Sequence, residues 1–320
     1  MKKKPLIILS GPTAVGKTAL SVDLAAQIKG EIISADSMQV YRRMNIGTAK
    51  IKEEETGGIP HYLIDILEPE QPFSIVAFRN AAWDAMNLIY RNGHIPILTG
   101  GTGFYIQSVL YDIDFNDAAD NPAVRRELEE EMKKAGPENM HEKLSEVDPA
   151  SAEVIHPNNK KRVIRALEFY RTTGKRISEH NEEQHEKESP YDFRYFVLTM
   201  ERASLYRRIE MRVDQMMEDG LVEEVKMLRD EGCTPDMTSM QGLGYREIYS
   251  YLNGESTWED AVLAIKEDTR HFAKRQLTWF RREKETIWIK MEDYDFDRKK
   301  ILKKILSDCE GLKEWENAGK

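Results

Sequence analysis

The segment Gly11-Pro12-Thr13-Ala14-Val15-Gly16-Lys17-Thr18 has the spacing G-x-x-x-x-G-K-T. Glycines separated in this way let the chain wrap so that backbone N–H groups point inward. The lysine adds a full positive charge, and the hydroxyl after it can bind Mg²⁺. This is chemistry for holding phosphate oxygens, and a helix starting at the loop would add the positive end of its dipole. ATP or GTP is the default occupant of such a loop. The guanine-reading Asn-Lys-x-Asp is absent, and Asp65 in Leu63-Ile64-Asp65 is the best candidate for an ATPase-type metal aspartate. Two other segments carry useful groups. Asp36, in Ser34-Ala35-Asp36-Ser37-Met38-Gln39, offers a carboxylate that could take a proton or cap a helix. Thr102, in Gly100-Gly101-Thr102-Gly103, offers a hydroxyl on what is by itself a glycine turn.

These segments can meet only if the chain brings the ends of different strands together. Short apolar, β-rich runs at Leu6 to Ser10, Glu31 to Ala35, His61 to Asp65 and Ile95 to Thr99 alternate with amphipathic stretches. That pattern predicts strands joined by helical crossovers in a parallel sheet. Leu20, Leu24 and Ile28 recur every four residues with Gly30 beyond, which predicts a helix and its stop. In open parallel sheets the ligand crevice lies outside the carboxyl ends of the strands, so Asp36 and Thr102 should face the cavity of the phosphate loop. From 117 to 187 strands give way to helix signals, beginning with Asn121-Pro122 as N-cap and first helical residue. Strand character returns at Phe193 to Thr199 and Thr286 to Ile289. The expected organisation is an α/β core from 1–116 and 188–320 with an inserted α-helical subdomain over 117–187.

The chain has 320 residues, 47 basic and 56 acidic, for a net charge of −9; its 40% hydrophobic content argues against disorder. No apolar run is long enough to span a bilayer, and Leu6 to Leu9 is too short for a signal peptide, so no membrane partner and no export are expected. Cys233 and Cys309 are the only cysteines, too few for a disulfide framework, and a reducing cytoplasm fits. Within this acidic total lie two basic stripes. Lys160, Lys161, Arg162, Arg165, Arg171, Lys175 and Arg176 face one acid, Glu168; Arg270, Lys274, Arg275, Arg281, Arg282 and Lys284 face Glu283 and are interleaved with Phe272, Trp279 and Phe280. Such stripes are either solvated helix faces or contacts for a polyanion with stackable bases.

The phosphate loop, Asp36 to Tyr41, Asn45 to Lys50, Gly100-Gly101-Thr102, Arg165 to Glu168, Gly244-Tyr245-Arg246 and Lys274 to Arg281 occur together and in this order. In this the chain resembles the bacterial tRNA dimethylallyltransferases, also called isopentenylpyrophosphate:tRNA transferases, over about residues 6 to 290. The resemblance implies a P-loop NTPase-like core and an inserted helical domain that grips the anticodon stem-loop. It also implies dimethylallyl transfer from dimethylallyl diphosphate to the exocyclic amine of the adenosine 3′ of the anticodon, in tRNAs reading codons that begin with U. It assigns the general base to Asp36 and contacts with the diphosphate and reacting centre to Thr102. Diphosphate binding falls to Gly11, Thr13, Ala14, Val15, Gly16, Lys17, Thr18 and Arg212, with Arg208 one helical turn earlier assisting, and Mg²⁺ binding to Thr18. Contacts with tRNA fall to Asp36, Ser37, Met38, Gln39, Thr102, Arg125, Lys161, Arg162, Val163, Ile164, Arg165, Gly244, Tyr245, Arg246, Lys274, Arg275, Gln276 and Arg281. Where some relatives carry arginine, this chain has Gln241. A cytoplasmic monomer is expected.

Overall fold

The structure, a computed structural model, describes residues 3–113 and 121–312. The expected start of the insertion, at 117, lies outside the described residues. The chain divides into two compact units, Met1–Leu110 with Pro190–Lys320, and Tyr111–Ser189.

In the first unit, β1 (Lys4–Ser10) buries Leu6, Ile7, Ile8 and Leu9 completely. A continuous apolar run suits a strand covered on both faces. Helix α1 (Lys17–Ile28) begins directly at the phosphate loop and buries Leu20, Leu24 and Ile28. The expected glycine stop is displaced by one residue. Lys29 takes the left-handed conformation at φ 53°, and Gly30 opens β2 (Gly30–Ser34), where a Cβ would come within 2.8 Å of Ile97 Cδ1. Strand β3 (His61–Tyr62) is shorter than expected. Leu63 and Asp65 have φ of 62° and 54°, which no extended strand can accommodate. Asp65 Oδ1 accepts from Lys50 Nζ at 2.5 Å and is not among the residues lining the cavities described below, so it does not serve as an ATPase-type metal aspartate. Helix α2 (Ile75–Arg91) is capped by the Ser74 hydroxyl, and β4 (Ile95–Gly100) leads into α3 (Gly103–Leu110).

The second unit is helical among its described residues. The helical run α4 (Pro122–Val147) starts with the Asn121 side chain accepting from the Ala123 and Val124 N–H groups and is broken at Gly136, φ 83°. It is followed by α5 (Pro149–Val154), α6 (Lys160–Thr173) and α7 (Ile177–Glu186). Leu128, Met132, Met140, Leu144, Val163, Ile164 and Leu167 form its core. Asp148 joins the helices. Its carboxylate, 1% exposed, accepts from the N–H and hydroxyl of both Ser151 and Ser178 at 2.6–3.1 Å.

The first unit resumes with β5 (Tyr191–Thr199), α8 (Arg202–Glu218), α9 (Leu221–Asp230), α10 (Tyr245–Leu252), α11 (Trp258–Phe280), β6 (Thr286–Lys290) and α12 (Arg298–Asp308). Among the described residues six strands form one parallel sheet in the order β3-β2-β4-β1-β5-β6. The register pairs Ser34 with Thr99 and Ser10 with Gly100. The chain therefore leaves three adjacent strands at one level, toward Gly11, Asp36 and Thr102. No helix of the described residues is long and apolar enough to cross a membrane.

Burial alone would raise the pKa of Asp148, but its hydrogen bonds outweigh burial and hold it below the usual carboxylate value. A depressed folded-state pKa means stability that is complete above the unfolded pKa and lost as pH falls through the folded one. Asp148→Ala is expected to destabilise the protein by about 1–3 kcal/mol at neutral pH and to flatten the loss of stability below pH about 4. Denaturant melts of both proteins against pH check this.

Candidate active site

The phosphate loop keeps its shape through backbone conformations and neighbours that few residues tolerate. Gly11, Ala14 and Gly16 have φ of 146°, 64° and 104°, and a Cβ on Gly11 would lie 2.5 Å from the Leu198 carbonyl oxygen. Val15 is fully buried and anchors the loop from below. Arg208 holds the outside, donating from Nε to the Ala14 carbonyl at 2.9 Å. Lys17 folds back over the loop and donates from Nζ to the Gly11 and Pro12 carbonyls at 2.9 and 2.8 Å. An incoming phosphate would replace these two carbonyls as its partners.

The other two strand ends are fixed to this loop. A Cβ on Gly100 would stand 2.2 Å from the Ala35 carbonyl oxygen, and the Thr102 N–H donates to that same oxygen at 3.2 Å. Asp36 Oδ1 accepts from the Met38 and Gln39 N–H groups at 2.8 and 3.4 Å, which sets the direction of the carboxyl group. Gln276 from α11 closes the arrangement: its Oε1 accepts from the Thr13 N–H at 2.9 Å and its Nε2 donates to the Gly101 carbonyl at 3.0 Å.

Three cavities meet here. One, of about 740 Å³, is lined by Ala14, Gly16, Lys17, Thr18, Arg208 and Arg212 among others. A second, of about 470 Å³, is lined by polar residues including Thr13, Asp36, Ser37, Thr48 and Thr102, and by an apolar group including Met38, Val213, Met216 and Phe272. A third, of about 90 Å³, lies between the strand ends and includes Lys17, Thr18 and Asp36. Arg212 lines all three. Burial works against the charges of both Arg212 and Lys17, and Asp36 supports both. For Lys17, burial and then the neighbouring Arg212 bring the ammonium down to about 7.

The remaining expected contacts divide. Arg275 lines the second cavity and lies over Phe272 at 5.7 Å, and Gly242, Tyr245 and Arg246 also reach that cavity. Lys274 and Arg281 instead line a separate groove with Arg202 and Tyr206. Gln276, 6% exposed, ties two loops together and also lines the third cavity. Gly244, φ 91°, donates its N–H to Glu247 Oε2. In the second unit, Arg125, Lys161 and Arg162 are exposed, and Arg165 pairs with the buried Glu168 at 3.3 Å. The side chains of Val163 and Ile164 belong to that unit's core, because the apolar face of α6 points inward, so they are not outward contacts. Gln241 is exposed and donates to the Pro235 carbonyl at 2.6 Å.

Sequence reasoning missed Glu224. Its buried carboxylate accepts from the N–H groups of Asn45, Ile46 and Gly47 at 2.8–3.2 Å and from the Tyr245 hydroxyl at 2.6 Å. The Tyr245 ring leaves no room for a side chain at 47, where a Cβ would come within 2.4 Å of it. The loop so held continues to Thr48, whose carbonyl accepts from Gln39 Nε2 at 3.2 Å. A glutamate on an amphipathic helix reads as a surface charge, and only its place against loop 45–47 reveals this task.

Comparison with known proteins agrees with this geometry. Residues 39–283 match the family described as IPP transferase, and residues 4–66 match the isopentenyl transferase family. The chain is 54% identical to the tRNA dimethylallyltransferase of Lachnoclostridium phytofermentans over 312 residues, covering 97% of this chain and 100% of that protein. It is 52% identical to the Bacillus licheniformis tRNA dimethylallyltransferase over 289 residues, 90% and 91% of the two chains. The crystal structure of the full-length tRNA isopentenylpyrophosphate transferase from Bacillus halodurans superposes with a TM-score of 0.74 at 44% identity, covering 99% and 98% of the chains. A eukaryotic dimethylallyltransferase captured acting on tRNA gives a TM-score of 0.78 at 30% identity, covering 90% of this chain and 74% of that one. The fold and site define a P-loop, NTPase-like α/β enzyme of the prenyltransferase class. The chain belongs to the IPP transferase family.

The position of Lys17 makes anion binding proton-linked. A phosphate anion favours the charged lysine, so in the complex the pKa rises above its value of about 7 in the free protein. Binding of inorganic pyrophosphate above pH about 7 is therefore expected to take up a proton at Lys17 and to weaken by up to about tenfold per pH unit. Calorimetry in buffers of different ionisation enthalpy reads the uptake, and Lys17→Arg, which stays charged, should lose that component. Equal buffer dependence in both proteins would contradict it.

Proposed function

We propose that this protein transfers a dimethylallyl group from dimethylallyl diphosphate to the exocyclic amine of the adenosine 3′ of the anticodon, in tRNAs that read codons beginning with U. It would act as a monomer in the cytoplasm. The observation that carries the proposal is the sharing of Arg212 and its neighbours Lys17 and Asp36 among the cavities. A phosphate-binding side and a second, part-apolar side adjoin at one cationic point with a carboxylate beside it. An NTPase has no evident use for the second side, and a transferase needs both. The tRNA dimethylallyltransferases among the relatives, and the neighbour acting on tRNA, support the acceptor.

The chemistry follows from where charge develops. When the allylic C–O bond breaks, positive charge spreads over the allyl system and negative charge grows on the departing diphosphate. Donors aimed at that diphosphate lower the barrier most. Lys17, Arg212 and the loop N–H groups would do this, with Arg208 steadying the loop. The adenine amine is a weak nucleophile, and Asp36 would accept its proton as the new C–N bond forms. Thr102, beside Asp36 on the wall of the second cavity, would orient the amine. The base must leave its stack to reach this cavity, and Ser37, Met38, Gln39, Arg246 and Arg275 would hold it and its neighbours. Arg125, Lys161, Arg162 and Arg165 would meet backbone phosphates.

The residues also fit Mg²⁺. Mg²⁺ keeps most of its own waters and takes one or two protein ligands, and Thr18 stands next to Lys17 on the walls of the first and third cavities. The Thr18 hydroxyl would be such a ligand. Bound there, Mg²⁺ would neutralise charge on the leaving diphosphate.

Asp36→Asn keeps the shape but cannot accept the proton, so single-turnover prenyl transfer should fall about 10²- to 10⁴-fold with tRNA affinity nearly unchanged; an unchanged rate would remove Asp36 from the mechanism. Replacing Arg162 and Arg165 with Ala should weaken tRNA binding and reduce the slope of log affinity against log salt by about 0.7–0.9 for each phosphate no longer neutralised. The same slope in both proteins would assign these arginines to the fold.

A further inference from the structure

The small cavity of about 90 Å³ between the strand ends has room for several waters. Its lining has an unusual bias. His61 enters it from β3, and the Nδ1–H of its ring donates to the Ile59 carbonyl at 2.8 Å. That bond fixes the tautomer, and Nε2, buried and without a hydrogen-bond partner, carries a lone pair. Burial holds the ring pKa below its ordinary value, so the lone pair persists at neutral pH. Around it the Ser34 hydroxyl donates to Gln39 Oε1 at 3.0 Å and the Thr99 hydroxyl to the Leu9 carbonyl at 3.0 Å. Both protons are thus spent, and only lone pairs remain to face the cavity. Asp36 adds a carboxylate. Lys17 and Arg212 stand on the phosphate side, and Ile32, Ile51, Ile64 and Phe272 add apolar wall. The Ser21, Gln39 and Gln276 side chains each donate to a backbone carbonyl, so acceptors and Thr18 make up most of the polar lining left over.

An acceptor-rich chamber with a hydroxyl ligand beside it and a carboxylate on its wall is complementary to a guest that presents donors. A hydrated dication shows its surroundings only outward-pointing O–H donors, and a buried acceptor left without a donor costs about 1–3 kcal/mol. We propose that this chamber is an outer-sphere site for the waters of a hydrated divalent cation at Thr18, with His61 Nε2 accepting from one of them. His61 is thereby a positioning residue. It would fill the place that an ATPase gives to a carboxylate after a strand, a place that Asp65, engaged by Lys50, does not fill here.

This inference rests on the reading of the loop as a diphosphate site, and one experiment separates the two. Inorganic pyrophosphate is titrated calorimetrically into the full chain, once with EDTA and once with Mg²⁺. The ratio of the two affinities reads the metal-dependent part. His61→Leu is expected to lose about tenfold of that ratio, as loss of an outer-shell partner does, while keeping wild-type affinity in EDTA. His61→Gln, whose amide oxygen can accept, should recover most of the ratio. An unchanged ratio in a folded His61→Leu would overturn the proposal. Loss of pyrophosphate binding by the wild-type protein in EDTA and in Mg²⁺ alike would overturn the diphosphate reading and, with it, this inference. A second measurement uses only wild-type protein. With pyrophosphate present, Mn²⁺ in place of Mg²⁺ should broaden the ring resonances of His61 selectively among the seven histidines; a His61 signal no broader than the rest would count against the site.

Discussion

Two half-buried cations held in one cleft set the terms for the rest of this molecule. Lys17 and Arg212 are each opposed by burial, and Arg212 further depresses Lys17. Asp36 is the carboxylate that supports both. One negative charge between two positive ones leaves an excess that a diphosphate can neutralise, and like charges this close are kept together only by a rigid surround. That requirement accounts for the bracing of the site. Gln276 spans two loops, Arg208 steadies the phosphate loop from outside, and Gly100 lies against the Ala35 carbonyl with no space for a side chain.

The sheet supplies the alignment. β2, β4 and β1 are neighbours, so the three segments that leave them arrive together without long loops. The part-apolar cavity is built by a different device, the packing of α8, α10 and α11 over the loop held by Glu224 and Tyr245. The phosphate-loop side of the site is therefore built from strand ends, and the part-apolar cavity largely from helices of the second half of the chain. The insertion has its own core, centred on α4 and α6, and its own polar junction at Asp148.

Much of this is legible in the sequence because the signals are local. The buried strands read as continuous apolar runs, the phosphate loop and the start of α1 are one motif, and the strand-end rule alone brings Asp36 and Thr102 to the loop. What escapes is non-local or conformational. The left-handed turn after α1 falls on Lys29, because Gly30 is needed as a small residue against Ile97. β3 ends early because Leu63 takes a left-handed conformation, which no residue pattern there announces. Val163 and Ile164 sit inside a basic run whose charges face out while these two face in. Glu224 and His61 give no sign in their own neighbourhoods, since the task of each is set by groups distant in the chain.

That the cationic point joins a prenyl diphosphate to a tRNA adenosine is open to a direct test. Unmodified tRNA is incubated with the purified protein, Mg²⁺ and dimethylallyl diphosphate, with a parallel reaction in which ATP is the sole phosphate donor, and the nucleosides are read by mass spectrometry. The expected result is one dimethylallyl group gained by the adenosine 3′ of the anticodon in tRNAs reading codons that begin with U, and no change with ATP. Unmodified tRNA in the first reaction together with ATP turnover in the second would contradict it.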